Sequence, residues 1–310
     1  MKPRIVVAGV VNIAASCLVP AFPVPLISSR RLPNGLHVQV SGSGYNVATT
    51  AASLGSEVEF ATYVGTDLLG LAVAQGLRDQ GLYGPGVQVC AEQPMAMVLF
   101  DEAGTRSSTS DLQDTPRLSY PAEVFAGLLG ARCDLAVLCN IAFTKPLVPI
   151  AVERRVPFIT DLHVVDTVDS RYNREWMAAA HVLVCSHESL PVEPLAWVEE
   201  MWKAHRTPVV IVGCGADGAV VGVREQRRVW QVAPVTPRGV RYQSGAGDTL
   251  VGSFAHHYSS SGDAVAAVRA AVLSAGWAVG AEPGSVQAPD AVVQEELVAM
   301  VGLPAVRRLR

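Results

Sequence analysis

Ser244-Gly245-Ala246-Gly247-Asp248-Thr249 sits within the run VRYQSGAGDTLVGSFAHHY, and the fold turns on how it is read. Two glycines flank an alanine, so the backbone there can bend sharply and stay bare. Leu250, Val251 and Phe254 follow at helical spacing, which makes the stretch a loop opening a helix. The first turn of such a helix has free N–H groups and the positive end of the dipole, a combination that suits a phosphate or a developing negative charge. Asp248 stands at its mouth. A carboxylate beside an anion site is electrostatically awkward unless a proton is moved there, so one reading makes Asp248 a general base next to a transferring phosphoryl group. The other makes it an ordinary helix cap. The six residues alone leave both open.

Outward from that stretch, 310 residues of which half are apolar can bury a large core. The formal charge is −4 and there is no basic tract, which argues against nucleic acid or an anionic membrane as the partner and for a small ligand. Six cysteines (Cys17, Cys90, Cys133, Cys139, Cys185, Cys214) show no CxxC or other close pair, so they read as reduced core thiols in a cytoplasmic protein. The apolar N-terminal stretch is interrupted by Asn12 and by prolines, which makes it a first buried strand; no transmembrane segment is expected.

Residues 4–11 form a continuous apolar run, the pattern of a parallel strand buried on both faces. Residues 14–39 are rich in Pro and Arg and read as irregular chain or edge strands over a site, part of a lid. Ser41-Gly42-Ser43-Gly44-Tyr45-Asn46 leads into a small-residue helix stopped by Gly55, and residues 58–64 are the next strand. A further helix is expected at 66–76, and strands at 88–90 and 95–101 with a turn at 102–105. Runs at 135–139, 158–161, 181–185 and 209–212 continue a parallel sheet; 216–223 and 229–235 look antiparallel, and helices close the chain at 249–258, 263–279 and 290–301. The five tryptophans read as packing residues.

Gly213-Cys214-Gly215-Ala216-Asp217-Gly218 matches GxGxxG after the strand PVVIV, but the AVVGV that follows has no helical period. A dinucleotide fingerprint needs its third glycine to open a helix, so this is a hairpin turn that could edge a nucleotide. No Walker-type phosphate loop occurs. Gly42, Gly44 and Asn46 read either as a bare backbone and amide for polyol hydroxyls or as an ordinary strand-to-helix turn. Asp161-Leu162-His163-Val164-Val165-Asp166 places ligand-type side chains at a strand end, as metal ligands or as hydrogen-bonded structure. His256 and His257 read as structural, one inward and one outward.

Taken together, SGAGDTLVGSF, SGSGYNVATTAASLG followed by VGTDLLG, and GCGADGAV resemble the ribokinase-like, or PfkB-type, family of sugar and nucleoside kinases over nearly the whole chain. The resemblance implies an α/β fold, a three-layer sandwich with a central, mostly parallel sheet and a small β lid. It implies one domain over 1–310 with lid segments at 14–41 and 93–113. It makes Asp248 the catalytic base, the backbone of Gly245, Ala246 and Gly247 the anion hole, and Asn12, Gly42, Gly44 and Asn46 the substrate side. Gly213, Gly215 and Gly218, with Ser186 and Glu188, fall on the nucleotide side. ATP and Mg²⁺ are the implied cofactors, with Asp161 and Glu188 toward the metal.

Several positions depart from that pattern. Ala14 stands where the family usually has a sugar-binding Asp, and Tyr242 and Gln243 alter the monovalent-cation positions. VCSHESL replaces the family's Asn-x-x-Glu, with Glu188 compensating through a shifted register, and DLH replaces Asp-x-Asn-x-Arg. Met95, Met97, Phe22 or Phe100 on the lid would give an apolar wall suited to a nucleobase, or else pack the lid or a lid-mediated homodimer. Arg106 on the lid would reach the phosphates. The expected activity is ATP-dependent phosphorylation of the primary hydroxyl of a ribose-like sugar or a nucleoside; the alternative is a binding protein without catalysis.

Overall fold

In the computed structural model, residues 2–103, 105–282 and 288–310 are described. Gly104, in the turn expected at 102–105, lies outside them. Arg4–Ala8 (β1) is the uninterrupted apolar run and is buried on both faces; Asn12–Leu18 (β2) follows it directly. Leu36–Ser41 (β3) returns antiparallel to β2, with Asn12 opposite Ser41 and Ala14 opposite Gln39. Ser43–Ser53 (α1), Glu57–Gly65 (β4), Leu68–Asp79 (α2) and Val87–Cys90 (β5) make the first crossovers. Met95–Phe100 (β6) and Arg106–Asp111 (β7) pair antiparallel.

Ala122–Leu129 (α3), Leu135–Leu138 (β8), Leu147–Glu153 (α4) and Phe158–Val164 (β9) resume the alternation. Arg174–Ala179 (α5), Val182–Ser186 (β10), Pro194–Ala204 (α6) and Val209–Gly213 (β11) extend it. Ala219–Val223 (β12) and Arg228–Val232 (β13) then turn antiparallel, so the expected hairpin at Gly213–Gly218 is present. Ala246–Ser261 (α7), Ala264–Ala278 (α8) and Ala291–Val301 (α9) follow, and Val306–Arg308 (β14) adds to β13.

Among the described residues the large sheet runs β14-β13-β12-β11-β10-β9-β8-β1-β4-β5, parallel from β11 to β5. A second sheet, β3-β2-β6-β7, is the lid. Apolar clusters fill both faces of the large sheet: Val47, Val251 and Phe254 pack on one side, and Phe125, Phe143, Trp176 and Trp197 on the other. The result is three layers, helix on sheet on helix. The chain leaves β1 toward β4 on one side and returns at β8 on the other, so the crevice above the carboxyl end of β1 is the topological switch point of the sheet.

Helix starts differ from the sequence-based expectation where the cap is not the first periodic residue. The Asp67 carboxylate accepts the Gly70 N–H at 2.8 Å, so α2 begins at Leu68 rather than at 66. α1 begins at Ser43, four residues before the apolar Val47, because Gly42 at φ 111° supplies the turn.

His256 and His257 both face protein. His256 Nδ1 lies 2.8 Å from Ser56 Oγ, and His257 Nε2 lies 3.0 Å from the Gln294 amide nitrogen. The expectation that one of them points outward is corrected: each closes a contact from α7, one to the chain after α1 and one to α9. Burial, aided by neighbouring His257, pushes His256 down to about 4, and burial lowers His257 as well. The fold therefore holds neutral imidazoles, and protonation favours the unfolded chain. Stability is full above the ordinary histidine pKa of about 6.5 and is lost as pH falls toward the folded values. We expect the Tm to fall between pH 6.5 and 4 less steeply in His256→Gln than in the parent, read by calorimetry; parallel slopes would exclude the histidine.

Candidate active site

α7 begins at Ala246 after Gly245, whose φ of 83° places it in the left-handed region that glycine tolerates. No side chain caps this helix, whereas α2, α8 and α9 are capped by Asp67, Asp263 and Asp290. α1 and α3 to α6 likewise have no side-chain cap, and at the start of α7 the Ala246 N–H donates to the Gln243 oxygen at 3.4 Å and the Thr249 N–H to the Gly245 oxygen at 2.9 Å. Asp248 is not the cap. Its Oδ2 instead accepts from Asn46 Nδ2 at 2.8 Å, a bond between residues 202 positions apart.

Asn46 is held for that bond by α1, whose first turn packs against the end of β1. A Cβ on Gly44 would lie 2.5 Å from the Gly9 carbonyl carbon, so the two backbones touch and neither side chain could be accommodated. Gly44 is thus a packing glycine and does not line the cleft, whereas Gly42 and Asn46 do. Gly42 serves the turn: a Cβ there would meet the Val10 oxygen at 2.6 Å.

β9 carries Asp161 and His163 to the same place. The His163 N–H donates to Asp161 Oδ1 at 2.8 Å, and His163 Nδ1 lies 3.3 Å from Asp161 Oδ2. Asp161, His163 and Asp248 bring their ligand atoms within 4.8 Å of one another, the one such group among the described residues. Electrostatics follow from this crowding. Burial pushes Asp248 up to about 6, against the pull of His163, the Asn46 hydrogen bond and Arg106, while Asp161 adds to the rise. The adjacent Asp161 carboxylate pushes His163 up to about 9, burial opposing.

A cleft of about 160 Å³ opens over Asp248, between the large sheet and the lid. Asn12, Ser41, Gly42, Ser43 and Asn46 line its floor, and Tyr242, Ser244 and Gly245 one wall. Asn12 Oδ1 is fully buried and has no hydrogen-bond partner. From the lid come Ala14, Gln39, Ala96, Val98, Arg106, Ser108 and Ser110, the alternate residues of four strands that face the same way. Met95 and Met97 are 40% and 48% exposed and point to the other face, with Leu36 and Val38, while Phe100 packs on Tyr242 with ring centroids 5.5 Å apart. The expected methionine wall is therefore not built. Small and hydroxyl side chains stand in its place, and the pleat of β6 is the reason. Arg106 does reach the cleft, the one arginine or lysine to line it among the described residues. A larger cavity of about 360 Å³ at the amino ends of β9 to β11 is lined by no carboxylate.

The remaining predicted residues gather elsewhere. Ser186 pairs in register with Gly213, the His187 N–H donates to the Gly213 oxygen at 3.0 Å, and Gly215 lies beside the His187 ring. Gly218 at φ 84° closes the hairpin, where a Cβ would strike the Val232 oxygen. Gly213, Gly215, Gly218, Ser186 and Glu188 thus form a second group at the carboxyl ends of β10 and β11. Glu188 is exposed and is not in the Asp161 group. Gln39, Ser108, Ser110 and Tyr242 were not singled out as cleft residues from sequence; the period-two alternation of the lid strands is the signal that carries most of them.

No curated protein sequence matches the chain. Its fold recurs in a microbiome-derived acarbose kinase (23% identity, TM-score 0.86, covering 96% of this chain and 100% of that one). It recurs also in a ribokinase from Arabidopsis thaliana complexed with ribose and ATP (19%, 0.76, 96% and 99%). A third is a nucleoside kinase from Burkholderia thailandensis in complex with inosine (16%, 0.76, 97% and 100%). The family model for pfkB family carbohydrate kinases matches residues 2–119 and 174–290, more than half of the sequence. This chain belongs to the pfkB family of carbohydrate kinases.

Proposed function

We propose that the protein is an ATP-dependent kinase that phosphorylates the primary hydroxyl of a hydroxyl-rich sugar in the cleft over Asp248. The observation that carries the reading is the Asp248 carboxylate in the first turn of α7, oriented over the cleft by Asn46 rather than spent on capping the helix. Asp248 accepts the hydroxyl proton as the sugar oxygen attacks the γ-phosphorus in line and the bond to the ADP oxygen breaks. The amides of Gly245, Ala246 and Gly247 face the transferring oxygens, and Arg106 adds a positive charge from the lid. Closure of the lid excludes water, the competing acceptor.

Asn12 Oδ1, buried without a partner, is an acceptor waiting for a sugar hydroxyl; Gly42 and Asn46 complete that side. Gly213, Gly215 and Gly218, with Ser186, would edge the nucleotide. Mg²⁺, which the Asp161 carboxylate would hold, would supply positive charge against the phosphates. The carboxylate of Asp161 suits this hard cation, the imidazole of His163 does not, and exposed Glu188 stands with the nucleotide group. Tyr242, packed on Phe100, departs with Gln243 from the monovalent-cation pattern that the resemblance implies, which makes such an ion dispensable here. The outward lid face, with Leu36, Val38, Met95 and Met97 exposed, is the surface on which two copies would pair. All six cysteines are free, in keeping with a reducing cytoplasm.

A sugar is preferred to a nucleoside because Met95 and Met97 do not line the cleft, Phe100 is packed against Tyr242, and Gln39, Ser41, Ser108 and Ser110 supply polar lining. An acceptor panel tests this: kcat/KM for the best sugar should exceed that for any nucleoside, and the reverse order would overturn the preference. The base assignment predicts a kcat/KM profile with an acid limb near pH 6, because Asp248 must be ionised. Below it the rate should fall about tenfold per pH unit. Removing the Asn46 bond, which holds the pKa down, should move the limb upward in Asn46→Leu; an unmoved limb would assign it to another group.

A further inference from the structure

Asp161 and His163 come from the end of β9 and Asp248 from the start of α7, and no side chain of α7 separates them: a Cβ on the intervening Gly247 would come no nearer than 4.0 Å to Asp161 Oδ2. We infer that this trio is a binding site for a borderline divalent cation of the Zn²⁺ type, and that its occupation inhibits the enzyme. The second half rests on the kinase reading; the first does not.

Two carboxylate oxygens and one imidazole nitrogen form a donor set that suits Zn²⁺, Co²⁺ or Ni²⁺, whereas Mg²⁺ keeps to oxygen and water. The ligands are already oriented. The His163 N–H holds Asp161 Oδ1 at 2.8 Å, Oδ2 lies 3.3 Å from His163 Nδ1 so that a cation would take the place of the proton between them, and Asn46 holds Asp248 Oδ2, leaving Oδ1. Bonds of about 2.1 Å in a tetrahedral site put ligand atoms roughly 3.4 Å apart, so the 4.8 Å limit closes with side-chain rotation alone. Three protein ligands leave a fourth position for water. His163 is 46% exposed, so the cation has a way in, while Asp161 is nearly buried and anchors it. A carboxylate whose free oxygen is bound to such a cation cannot take a proton from a sugar. Zn²⁺ would thus compete with the chemistry at Asp248 and with Mg²⁺ for the Asp161 carboxylate.

The test uses the full chain without nucleotide. Zn²⁺ is titrated by calorimetry, and Co²⁺ is added separately to read ligation from its visible absorption. One equivalent should bind, and His163→Asn, which keeps a side chain that tolerates the φ of 55° at this position, should weaken binding about 100-fold with unchanged circular dichroism. Asp161→Asn should weaken it similarly. Cys17→Ser, which removes a partly exposed thiol, should leave it unchanged. No binding, or equal binding in His163→Asn, overturns the site. In a Mg²⁺-saturated turnover assay, Zn²⁺ should inhibit the parent at concentrations that leave the residual activity of His163→Asn unaffected. Binding without such inhibition would retain the site and overturn its effect on catalysis.

Discussion

Asp248→Asn should lower kcat by about 10³-fold to 10⁴-fold while the protein stays folded and binds ATP with nearly unchanged affinity. Asparagine has almost the same shape and still meets the Asn46 side chain, so the change removes the proton acceptor and little else. The Tm should not fall, because an ionisable group that is half-buried, pushed up to about 6 and crowded by Asp161 is held there at a cost. Turnover within tenfold of the parent would refute the base assignment. A lost fold would show that the carboxylate is structural, as a cap would be, although the helix start already has Gly245 in that position.

Gly44→Ala should destabilise the fold by about 3 kcal/mol, the cost of overpacking a closed contact. Alanine gains roughly 1 kcal/mol in helix propensity over glycine, but its Cβ would sit 2.5 Å from the Gly9 carbonyl carbon, and backbone cannot step aside as a side-chain tip can. The clash wins. In thermal unfolding this amounts to a drop of roughly 5–10 °C. Because α1 carries Asn46, the wedge should also tilt the Asp248 hydrogen bond and lower kcat. A substrate-contacting glycine would respond differently, with a raised KM and an unchanged Tm.

Much of the architecture was legible in the sequence because its signals are local. Apolar runs such as residues 4–11 announce strands buried on both faces, and the missing helical period after Gly218 correctly refuses a dinucleotide fold. The bare loop before α7 could be read, but its two meanings could not be separated. Whether Asp248 caps or reacts depends on Asn46, brought across 202 positions by the packing of α1 on α7. His163 illustrates the same limit: its neighbour Asp161 is visible in the chain, and its approach to Asp248 is created by the sheet. Alternation showed that Met95 and Met97 share a face of β6; only pairing with β2 and β7 decides that this face looks away from the cleft. Gly44 was ambiguous for a simpler reason. A glycine admits a ligand or another backbone equally, and the partner here is Gly9.

The central claim is transfer of a phosphoryl group, and the most direct measurement follows the γ-phosphate itself. Purified protein is incubated with ATP labelled at the γ position, Mg²⁺, and pentoses, hexoses, small oligosaccharides and nucleosides in turn, and products are identified by phosphorus NMR and mass. The account predicts a phosphomonoester on the primary hydroxyl of a sugar, formed in step with ADP and absent with Asp248→Asn. A ligand that binds tightly and is never phosphorylated, under conditions where ATP also binds, would contradict it and leave a binding protein on a kinase fold.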